Sequence, residues 1–98
     1  MGIDVFIQNR LHERTETILD YDLDALDRLI ERAPRGSLTQ AIHPYADTMF
    51  NPRQLQSFLA ELSEFSPSDD KEAQLIAVLR RAAETALERF GYLWFSGD

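Results

Sequence analysis

Apolar and polar positions alternate from Ile3 to Gln8, with Ile3, Val5 and Ile7 on one face and Asp4, Phe6 and Gln8 on the other, which predicts a strand. After the polar segment Asn9 to Arg14, Thr15 to Leu19 supplies β-branched residues for a second strand returning antiparallel to the first. From Tyr21 the period becomes helical. Leu23, Leu26, Leu29, Ile30 and Ala33 share one face of a helix over 23–33, with Asp22 as N-cap and Asp24 favourable in the first turn. Pro34 and Gly36 end it, and Leu38 to Ile42 is expected to be extended.

The strongest local signal follows a polar-aromatic loop that begins at His43. Asn51 reads as an N-cap and Pro52 as the first helical residue. Gln54 stands where its side chain can return to the Asn51 amide, completing a capping box. Phe50 before the cap and Leu55 inside the helix are placed as a hydrophobic staple. Leu55, Phe58, Leu59, Leu62 and Phe65 then form an apolar stripe opposite Arg53, Gln56 and Glu61. Ser66-Pro67-Ser68 breaks the chain. Asp69 with Glu72 opens a third helix carrying Ile76, Leu79, Ala83, Leu87 and Phe90, and Gly91 is its expected stop. Tyr92-Leu93-Trp94-Phe95 reads as a last strand beside the N-terminal hairpin. The sum is an α+β domain spanning residues 1–98: a three- or four-stranded, largely antiparallel sheet covered on one face by three helices.

Charge and composition narrow the function classes. A chain of 98 residues with net charge −7 repels polyanions, so nucleic acid and anionic lipid are disfavoured partners and a basic protein is the better candidate. Zero cysteines exclude disulfides, thiol catalysis and cysteine-bound metals, and two histidines are too few for an ordinary zinc site, so no metal or cofactor is expected. The first residues carry no secretory pattern and no run is apolar enough for a membrane span, which gives a cytoplasmic expectation. No glycine-rich phosphate loop, nucleophile elbow or metal-binding helix motif occurs.

Two surfaces remain as candidates. The first is the loop His43, Tyr45, Asp47, Thr48 and Met49, where tyrosine and methionine suit an interface and His43 with Asp47 could support acid-base chemistry. The second is the acidic group Asp20, Asp22, Asp24, Asp27 and Glu31, interrupted by Arg28 and Arg32. The leading expectation is a non-enzymatic protein-interaction module, immunity-like or regulatory, that meets a basic protein. The alternatives are a small enzyme using the His43/Asp47 loop and a structural homodimer subunit.

At Pro44, Tyr45, Asp47, Thr48, Phe50, Asn51 and Gln54, with Gly97-Asp98 at the end, the chain resembles a group of small bacterial proteins of no established function. They share a Pro-Tyr-Gly-Asp-Thr loop followed by Phe-Asn and an amphipathic helix. The resemblance implies the same fold and carries over no catalytic residue. This sequence departs from the pattern with Ala46 in place of glycine and His43 in place of aspartate; a positive φ at Ala46 would be strained.

Overall fold

The computed structural model describes residues 2–97, so Asp98 of the Gly-Asp ending lies outside the described residues. In chain order the elements are β1 (Ile3–Gln8), β2 (Arg14–Ile18), α1 (Leu23–Arg32), α2 (Leu38–Ala41), β3 (Asp47–Phe50), α3 (Pro52–Glu64), α4 (Asp70–Glu88) and β4 (Tyr92–Gly97). The four strands form one antiparallel sheet in the order β2-β1-β4-β3. The chain's first and last strands are therefore neighbours at the centre of the sheet, in register from Ile3 opposite Gly97 to Gln8 opposite Tyr92.

Ile3, Val5, Ile7, Leu93, Phe95 and Phe50 point from the sheet into a single core shared with Leu26, Leu55, Phe58, Leu62, Leu75 and Leu79 of the helices. At its centre Phe50, Phe58 and Phe95 meet with ring centroids 5.0, 5.5 and 6.2 Å apart, a mutual edge-and-tilt arrangement favourable for aromatic quadrupoles. The opposite face of the sheet carries Phe6, Trp94 and Met49 in one register row. Phe6 is nevertheless buried, because Trp94 stacks beside it and the Arg14 guanidinium sits 3.8 Å from its ring centre. Beyond a bulge in the β1-β2 ladder the connecting turn folds back, with His12 at φ 65 stacking on Tyr92 at 4.2 Å.

Among the described residues four helices, one more than expected, cover the core. Leu38 to Ile42 is not extended. Residues Leu38–Ala41 make a short helix capped by Ser37, whose Oγ accepts from Gln40 N at 3.2 Å. The sequence signal was present as a serine three positions before a glutamine. Glu61 of α3 adds the decisive tie: its carboxylate accepts from Leu38 N, Thr39 N and Thr39 Oγ1 at 2.8, 3.0 and 2.8 Å. Glu61, which the pattern places opposite the apolar stripe of α3, supplies acceptors for the orphan amides of a neighbouring helix.

The capping box at α3 forms as expected, with Asn51 Oδ1 accepting from Gln54 N and Gln54 Oε1 accepting from Asn51 N, each at 2.9 Å. Asp69 caps α4, but Glu72 does not complete a box. It is buried and receives hydrogen bonds from Ser68 N and Oγ at 3.2 and 2.8 Å, from Arg28 Nε at 3.4 Å, and from Arg32 Nη2. Burial works against the ionised carboxylate, and the Ser68 and Arg32 donors outweigh it, holding Glu72 down at about 2.

Helix α4 stops one residue earlier than expected. Phe90, expected on its buried stripe, occupies the left-handed position at φ 53 and is 69% exposed. Phe90 N donates to Leu87 O at 3.0 Å and Gly91 N donates to Ala86 O at 2.9 Å, the paired closure of a Schellman turn. Glycine is required at the next position for a different reason: a Cβ on Gly91 would lie 2.0 Å from the Gln8 carbonyl oxygen, where β4 enters beside β1. Leu23, also expected in the core, is 42% exposed at the first turn of α1.

Candidate functional site

The residues from His43 to Met49 are half loop and half strand. Asp47, Thr48 and Met49 belong to the edge strand β3, opposite Ser96, Phe95 and Trp94. A four-residue Asp-Thr-Met-Phe segment has little strand signal of its own, and it becomes a strand because β4 supplies its ladder. The preceding turn is pinned against the end of β4. Gly97 N donates to Ala46 O at 3.0 Å, and a Cβ on Gly97 would lie 2.5 Å from the Pro44 carbonyl. Ala46 takes no positive φ, so the alanine is accommodated without the strain a glycine-specific turn would impose.

Within this loop the polar groups serve one another. His43 Nδ1 accepts from Tyr45 N at 3.0 Å, which places the ring edge-on to Tyr45 at 6.2 Å. Thr48 Oγ1 accepts from His43 N at 3.1 Å and donates to Ala41 O at 3.4 Å, while Asp47 Oδ1 accepts from Ser96 Oγ at 3.1 Å. His43 and Asp47 therefore have separate partners. Met49 is 36% exposed on the open face of the sheet, and Tyr45 is 64% exposed at its end.

Tyr45 and Pro44 turn toward α1. Together with Gly2, Leu23, Asp24 and Asp27 they line a cleft of about 220 Å³, and a second hollow of about 220 Å³ continues from Tyr45, Pro44 and Asp27 to Ile30 and Glu31. The loop and the acidic helix, two separate candidates in the sequence, thus form one surface. Asp24, Asp27 and Glu31 are spaced three and four residues apart and so share a helix face. The arginines that interrupt them in the sequence point elsewhere. Arg28 bonds Asp69 at 3.2 Å and Glu72 at 3.4 Å, and Arg32 bonds Glu72 and the Ser66 carbonyl, the latter at 3.0 Å.

The acidic group is divided by this arrangement. Asp22 is spent on the helix: it accepts from Ala25 N at 2.9 Å and pairs with Lys71 at 3.5 Å, and the Ala25 bond, with Lys71 beside it, holds its carboxyl below the ordinary value. Asp20 lies in another groove with Glu16, Leu19 and Arg81. Leu23 and Gly2 are cleft residues that periodicity did not mark, since Leu23 fits the apolar stripe of α1 and only the cut of the cleft leaves it open. The chemistry of the cleft is simple: three carboxylates on one wall and the Tyr45 ring with Leu23 and Pro44 as apolar surface suit a cationic side chain with an apolar stem.

Among the described residues no three histidine, aspartate or glutamate side chains converge as a metal-binding group, and no helix is long and apolar enough to cross a membrane. Compared with known proteins, the chain matches no family model, no curated protein and no solved structure at a significant level.

Proposed function

We propose that the chain is a non-enzymatic protein-interaction module of the bacterial cytosol whose cleft between Tyr45 and α1 receives a basic segment of a protein partner. The observation that carries this reading is the segregation of charge on α1. Arg28 and Arg32 are drawn to Glu72, so Asp24, Asp27 and Glu31 face Tyr45 with neither of these arginines between them. An exposed tyrosine beside carboxylates offers an incoming arginine or lysine a charged partner and an aromatic face together. The net charge of −7 favours the same class of partner through long-range attraction.

A labelled arginine-rich peptide titrated into the protein at low and moderate salt tests the reading. Neutralising Asp24, Asp27 and Glu31 together should weaken binding about tenfold or more, and Tyr45→Ala should weaken it further at equal charge. Neutralising three acidic residues away from the cleft, Glu64, Asp70 and Glu84, is the control. Equal losses in both triple variants would mean that net charge alone attracts the peptide, and the reading would fail.

A further inference from the structure

We infer that the basic segment received by the cleft is the opposite end of a second copy of this chain, so that copies associate head to tail; this rests on the cleft being a docking surface. Strand β1 connects the two ends. Ile3 pairs with Gly97 beside the cleft, and Gln8 pairs with Tyr92 at the far end, about 17 Å away along a six-residue strand. At that far end Asn9, Arg10 and Leu11 of the hairpin turn and Arg89 after α4 surround an open hollow of about 420 Å³.

The two ends are complementary in charge and alike in apolar exposure. The hairpin end presents Leu11, 77% exposed, and Phe90, 69% exposed, beside Arg10 and Arg89. Glu13, which accepts from Asn9 Nδ2 at 2.9 Å, and Glu88 adjoin this end in sequence, but the lining of the hollow itself includes two arginines and no carboxylate. The cleft end presents Leu23 and Tyr45 beside Asp24, Asp27 and Glu31. Phe90 adds an independent argument. A left-handed C′ position favours glycine, and a large aromatic there that is mostly exposed gains little from its own fold. Contact with another molecule gives that side chain a use. Because the surfaces differ, the contact is heterologous: each copy keeps one free end, and growth continues until a ring closes or a filament forms.

Sedimentation velocity over a wide concentration range, at low and moderate salt, provides the test. The wild-type chain should grow past the dimer and dissociate with salt. One variant, Arg10→Glu with Phe90→Gly, loses the hairpin surface while relieving a backbone constraint; a second, Asp27→Lys with Glu31→Lys, loses the cleft. Each should sediment as a monomer alone, and their equimolar mixture should form a dimer that cannot grow, because the cleft of the first and the hairpin end of the second are the one pairing left intact. Appearance of that capped dimer is therefore the expected result, and its absence overturns the inference. A wild-type monomer at all concentrations, or a dimer that persists in both variants alone, also overturns it. If the wild type stays monomeric while its cleft still binds the arginine-rich peptide, head-to-tail pairing falls and the docking surface stands; if the peptide is also ignored, both fall.

Discussion

Arg32 on α1 and Glu72 on α4 are forty positions apart in the chain and form an ion pair in which the carboxylate is 1% exposed and the guanidinium 38% exposed. The pair joins two helices and also decides what α1 shows to solvent, because the arginine it holds is withdrawn from the acidic face. Removing the carboxylate charge should loosen both arrangements. Glu72→Gln is expected to lower stability by about 2 kcal/mol near neutral pH, measured by urea unfolding.

The same carboxylate sets an acid limb. Its folded pKa of about 2 lies below the ordinary glutamate value of 4.5, so its contribution is full above the unfolded value and is lost as pH falls from about 4.5 through about 2. In thermal melts over that window the wild-type Tm should fall more steeply than that of Glu72→Gln. Parallel curves would contradict the assignment.

Gly91 and Gly36 should respond differently to alanine. A Cβ on Gly91 meets the Gln8 carbonyl at 2.0 Å, so Gly91→Ala must push two central strands apart and should cost about 3 kcal/mol. Gly36 has φ +83 and no atom within 4 Å of an added Cβ, so Gly36→Ala carries only the left-handed penalty of about 1 kcal/mol. Chemical denaturation of the two variants checks the ratio.

Deleting residues 93–98 should unfold the chain. These residues include most of β4, which hydrogen-bonds β1 on one side and β3 on the other and carries the buried Leu93 and Phe95. The expected circular dichroism spectrum loses the helical signal as well, since α3 and α4 pack on that strand.

Phe90→Gly is expected to stabilise the isolated chain by up to about 1 kcal/mol, because glycine adopts the left-handed position freely and the exposed phenyl ring contributes little to the core. A raised Tm for this variant, measured in dilute solution, checks it.

The sequence by itself determined the elements whose signals are local. The alternation of Ile3, Val5 and Ile7, the Asp22 cap, and the Asn51-Pro52-Gln54 box each act within a few residues, and each appears where its spacing placed it. Neighbours far along the chain decided the rest. Asp47–Phe50 is a strand because β4 lies beside it, and Leu38–Ala41 is a helix whose first amides are held by Glu61. Phe90 left the predicted stripe when α4 closed one residue sooner and Gly91 had to meet β1. Both halves of the candidate site could be named from the sequence, but not their union. That depended on Gly97 admitting the Pro44 turn at arm's length from α1, and on Glu72 drawing two arginines off the acidic face; contacts across such separations leave no period or spacing in a linear chain.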